Sequence, residues 1–80
     1  MKRIEQQFLK AVKKAVEDYD CSFEWYHEDD LFFVRVTLND LEEWAENEED
    51  IYEILSDVAL EWSGNGVDDY GEQYLLAIES

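Results

Sequence analysis

The chain has 80 residues, 46 % of them apolar and 15 % aromatic, with 22 acidic against six basic side chains and a formal charge of −16. That is the length of one small domain, and the composition is too apolar for a disordered acidic tail. No apolar run approaches the roughly 18 residues of a membrane span, and the basic N-terminus lacks the apolar core and cleavage site of a signal peptide. A lone cysteine, Cys21, has no internal disulfide partner. The expectation is a cytoplasmic protein that avoids membranes and does not bind nucleic acid directly, because anionic surfaces repel a polyanion.

The charge is segregated. Residues 1–14 carry a local +4, and residues 15–80 a local −20 in which Arg35 is the only cation. Solubility needs a net charge of only about 2–8 in a small domain, so the excess asks for a cause.

In chain order, Ile4, Phe8, Ala11, Val12, Ala15, Val16 and Tyr19 recur at helical spacing. They predict an amphipathic helix over about 2–19 with a cationic outer face. Alternation then puts Cys21, Phe23 and Trp25 on one face of a strand and Ser22, Glu24 and Tyr26 on the other. A second alternating run, with Phe32, Val34, Val36 and Leu38 on one face, predicts an antiparallel hairpin across the polar tip Glu28-Asp29-Asp30. Aromatics on both faces of that run mean either a central strand or an outer face that meets a partner.

Asn39 is the predicted N-cap of the next helical region, with Glu42 at N3. That region, 40–62, has Leu41, Trp44, Ala45, Ile51, Leu55, Val58, Ala59 and Trp62 on its apolar side. Residues 46–50 offer no apolar anchor, so it is either one helix or two, with Asn47 capping the second. Gly64-Asn65-Gly66 supplies the C-cap. Val67 to Gly71 reads as loop. Gln73 to Ile78 reads as a strand with Tyr74, Leu76 and Ile78 on one face, or as a short helix. The expected class is α+β: a small antiparallel sheet packed against helices, in the order α-β-β-α(α)-β.

Little in the sequence suggests catalysis. Cys21 and His27, the sole cysteine and histidine, lie roughly 20 Å apart along a strand and cannot form a nucleophile–base pair. Cys21 is expected to be a buried small apolar residue and His27 a surface residue at a strand end. No phosphate-binding glycine loop occurs. The acids of Glu28-Asp29-Asp30 and of Asp68-Asp69-Tyr70-Gly71-Glu72 lack the order of a calcium loop. The reading is therefore a non-enzyme with no cofactor and no resident metal.

The informative feature is the acid row Glu42, Glu46, Glu49, Glu53, Asp57 and Glu61. On a continuous helix these residues share one side and span roughly 28 Å. Glu43, Glu48 and Asp50 widen the band, and no Lys or Arg occurs within 40–62. An ordinary solvated helix would intersperse lysines at i+4 to gain a few tenths of a kcal/mol per pair. The hairpin-tip acids Glu28, Asp29 and Asp30 and the loop acids Asp68, Asp69 and Glu72 can extend this polyanionic surface. Tyr52 and Tyr70 stand beside acids and are the expected aromatic contacts, the usual anchors of an interface.

In size, charge, α-β-β-α order and the acidic segment Leu41 to Glu61, the chain resembles the small acidic DNA-mimic inhibitors of phages and mobile elements, several anti-CRISPR proteins among them. The resemblance implies a partner that is a basic nucleic-acid-binding protein whose site becomes occluded, for example the PAM-reading cleft of a CRISPR effector. Two other readings stay open from the residues alone. One is an antitoxin-, immunity- or adaptor-type module that neutralises a basic partner without mimicry. The other is a salt-adapted domain with no such partner.

Overall fold

The computed structural model describes Met1–Ser80. Helix α1 spans Arg3–Ala15, strands β1 and β2 span Cys21–Glu28 and Leu31–Leu38, helix α2 spans Leu41–Ser63, and strands β3 and β4 span Asp68–Asp69 and Gln73–Glu79. The sheet is antiparallel throughout, in the order β1-β2-β4-β3. This is the expected α+β class, with the C-terminal segment a strand rather than a helix.

Alternation decides the inner face. Phe32, Val34, Val36 and Leu38 of β2 are buried, as are Tyr74, Leu76 and Ile78 of β4. Onto them pack Phe8, Leu9 and Val12 of α1 and Ile51, Leu55 and Ala59 of α2. The Phe8 ring meets Phe32 edge-on at 6.5 Å and tilts against Trp62 at 5.8 Å, so one aromatic of α1 joins both helices to the sheet. Both helices cover the same face. The opposite face is open, and there Tyr26 stacks on Phe33 at 4.9 Å. Strand β2 is central, between β1 and β4, and on its open face Phe33 is half-buried beside Tyr26.

The hairpin closes in two residues. Glu28 pairs with Leu31, and Asp29 and Asp30 take φ of 50° and 64°. Positive φ at both central positions matches the twist of the flanking strands, and Asp is among the few non-glycine residues that tolerate it. Glu28 ends β1 and flanks the two-residue loop.

Several boundaries differ from the sequence expectation. Helix α1 stops at Ala15, although Val16 is buried and Tyr19 packs on the core. Their apolar spacing is met by i→i+3 turns, Lys14 O to Glu17 N and Val16 O to Tyr19 N. Lys13 and Lys14 suit the negative end of the helix dipole, and Glu17 and Asp18 would oppose it. Within α1, Leu9 is buried while Ile4 is 44 % exposed, so the stripe is turned by a fraction of a turn from the predicted one.

The cap of α2 is Asp40, not Asn39. Its carboxylate accepts from the Glu42 and Glu43 backbone N–H groups, both at 3.1 Å. Asn39 instead joins Ser22 and Asp20 at the strand ends. A charged acceptor there also faces the positive end of the helix. Asp40→Ala should cost about 1 kcal/mol, read as a lower urea midpoint at unchanged slope.

The region 40–62 forms one helix. Asn47 donates its side-chain N–H to Glu43 O at 2.8 Å and caps nothing. Glu is a good helix former, and Trp44 and Ile51 anchor the turns on either side of 46–50. Leu41 and Ala45 are exposed, off the core stripe. Gly64, at φ 73°, ends the helix with its N–H on Leu60 O.

Candidate functional site

The long face of α2 opposite its core stripe is a continuous band of carboxylates. Glu42, Glu46, Glu49, Asp50, Glu53, Asp57 and Glu61 are all exposed. The continuity of α2 over Leu41–Ser63 keeps the row on one unbroken helix. Within ion-pair distance are Arg35 and Glu24 at 3.7 Å, and His27 and Glu5 at 2.8 Å, a charged pair only when the imidazole is protonated. Neither involves α2, so its acids meet no cation within the protein.

Only part of the remaining acidic set joins this band. Asp68 and Asp69 form β3, paired with Leu75 and Tyr74 of β4. They face α2 across a cleft of about 380 Å³ lined by Trp44, Glu48, Glu49, Tyr52, Val67, Asp68, Asp69 and Tyr74. Tyr52 is 45 % exposed at its rim. Tyr74 is buried, and its hydroxyl accepts the Trp44 indole N–H at 2.9 Å. Burial, with Asp69 and Glu48 nearby, raises the Tyr74 phenol against the opposing bond from Trp44.

Tyr70 lies elsewhere. It is 63 % exposed and lines a shallow depression with Arg35, Gln73, Tyr74 and Leu75 on the open face of the sheet. The tip residues Glu28, Asp29 and Asp30 share a different cleft with Lys2, His27 and Ser80. Ile4, Leu31, Trp62 and Ser63 line a common groove, so the tip sits at the end of the molecule where α2 terminates. The tip acids extend the negative surface there without entering the α2–β3 cleft.

The sequence reading missed Glu48, Trp44, Val67 and Tyr74 as cleft residues, having placed Glu48 in the band alone and Trp44 on the core stripe. It also missed Glu5, which is fully buried on α1. Glu5 accepts from Lys2 N at 2.9 Å, bonds His27 Nε2 at 2.8 Å and receives the Ser80 hydroxyl. A signal was available: Glu5 precedes Phe8 by three positions and Leu9 by four, on the apolar side of α1. His27 is the expected surface residue, with its side chain 59 % exposed, but it is tied down. Burial, then Glu43 and Asp20, pushes the Cys21 thiol up to about 11, so it stays protonated at neutral pH; Cys21 is only half-buried.

The Ser80 hydroxyl, together with Lys2 N–H and His27, outweighs burial and holds Glu5 down at about 2, from an ordinary 4.5. A lowered carboxylate stabilises the fold above the unfolded value and loses that contribution as pH falls through the folded one. Glu5→Gln should therefore be less stable than the parent at pH 6. The gap should narrow below about 4.5 and close near 2. Urea midpoints of both proteins across that range check this.

The cationic face of α1 is only partly free. Lys13 Nζ lies 5.6 Å from the Phe23 ring centroid and 5.4 Å from that of Trp25, covering the inner face of β1 by cation–π contact and an aliphatic stem. Lys10 and Lys14 are exposed.

No family model and no curated protein matches this sequence. The fold and site define a class in physical terms: an α+β domain whose one long helix presents an uncompensated row of carboxylates beside an aromatic-floored acidic cleft. No helix is long and apolar enough to cross a membrane.

Proposed function

We propose that the protein is a non-enzymatic inhibitor, acting in the cytoplasm, whose polyanionic helix α2 competes with nucleic acid for the basic site of a protein. The observation that carries this reading is the exposed row on α2 with no internal cation. Isolated like charges at i+4 cost helix stability, and a basic partner repays that cost on binding. A CRISPR effector is one example of such a partner, as the resemblance to anti-CRISPR proteins implies.

The test has two arms. The isolated protein should not retain duplex DNA or RNA in a gel shift at about 150 mM salt, where the Debye length is still about 8 Å. A basic protein captured from host lysate on the immobilised chain should be released by duplex DNA or RNA. Direct micromolar retention of nucleic acid would overturn the reading. A partner that stays bound under saturating nucleic acid would assign the antitoxin- or adaptor-type function instead.

A further inference from the structure

The α2–β3 cleft differs from the open row in having a floor. Trp44 and Tyr52 supply aromatic surface above the buried Tyr74, and Glu48, Glu49, Asp68 and Asp69 stand around it. None of these acids is ion-paired. The buried Tyr74 hydroxyl accepts the Trp44 indole N–H and so fixes Trp44 in the floor between the negative walls.

We propose that this cleft is a receptor slot for a single arginine side chain of the protein partner, the guanidinium seated against Tyr52 between the acids. The inference rests on the reading that the partner is a basic protein, and it names the contact that anchors it. Charge complementarity excludes an anionic or neutral occupant. Arginine fits better than lysine for two reasons. Its planar, weakly hydrated cation stacks on an aromatic face, and its five N–H donors reach carboxylates on opposite walls. A lysine ammonium is compact and strongly hydrated, and gains less from such a floor. The open row then gives speed of encounter, and the slot gives residence.

The probe is a triarginine peptide, compared with trilysine and tricitrulline, titrated into the full-length protein at about 150 mM salt. The Trp44 indole N–H, assigned with Trp44→Phe, reports on the cleft by NMR. Triarginine should shift that signal and the Asp68 and Asp69 amides, binding about fivefold tighter than trilysine. Tricitrulline, which keeps the shape without the charge, should not bind. Tyr52→Ala, at an exposed position, should abolish the preference for arginine, and Tyr52→Phe should retain it. Glu48→Gln with Asp69→Asn should weaken binding more than Glu42→Gln with Glu61→Gln, which removes equal charge from the open row. Asn can keep the bond that Asp69 accepts from Gly71 N–H.

Shifts spread evenly over α2, equal affinity for triarginine and trilysine, or equal effects of the two double variants would overturn the slot. These outcomes are separable from failure of the mimicry reading. A slot that selects arginine while nucleic acid fails to displace the captured partner leaves the slot and removes mimicry. Displacement by nucleic acid without arginine selection does the reverse.

Discussion

Glu49→Lys combined with Glu53→Lys should slow association with the proposed basic partner by at least about tenfold at low salt. The pair replaces two negative charges with two positive ones at the middle of the row. Both side chains are exposed and off the Ile51, Leu55 and Ala59 stripe, so no core volume changes. Lys keeps the helix propensity, and new i,i+4 contacts with Glu46 and Asp57 favour α2 by a few tenths of a kcal/mol. The fold should survive, which circular dichroism checks. The loss should shrink as salt rises, because steering is screened. Lys10→Glu with Lys14→Glu is the control, and Lys13 is left alone because it covers Phe23 and Trp25. If the control abolishes binding and the α2 reversal does not, the functional face is α1.

The melting temperature should rise by roughly 5–10 °C between 0.01 M and 0.1 M sodium chloride, a gain of about 1–2 kcal/mol for a domain of this size. Over that range the Debye length falls from about 30 Å to about 10 Å. The charge of −16 is then screened across most of the molecule. The acids of α2 have no internal cation to lose, so screening removes repulsion and little attraction. Chloride is the right anion, since sulfate adds its own exclusion effect. A flat or falling melting temperature would mean that the α1 lysines already neutralise the row.

The legible part of this fold is the part governed by burial alone. The Phe32, Val34, Val36 and Leu38 alternation and its counterpart Tyr74, Leu76 and Ile78 give β2 and β4 directly, because every second side chain must leave water. Periodicity does not distinguish a helix from turns that bury the same residues, hence the overlong α1 at Val16 and Tyr19. Asn39 and Asp40 are both good caps by type; which one caps depends on Asn39 being drawn to Ser22 and Asp20. The exposed row on α2 was legible from spacing. The cleft was not, because β3 exists only as a pair of residues laid against β4, and its acids face α2 through the course of the 64–67 connection. The role of Glu5 is not legible from sequence, because a carboxylate on an apolar stripe has no visible partners until the hairpin tip and the C-terminus arrive beside it.

The two helices share one layer, and their charges make that layer lopsided. Helix α1 covers the β1 side, with Lys13 over Phe23 and Trp25, and α2 lies toward β4 and the acidic edge strand β3. A positively charged surface nearing this layer therefore feels a torque before it touches anything. It is pushed off the lysine flank and drawn toward the outer edge of α2. The field of the free molecule thus runs along its helix layer from the β1 side to the β3 side, so that a cationic surface would meet the α2–β3 side first.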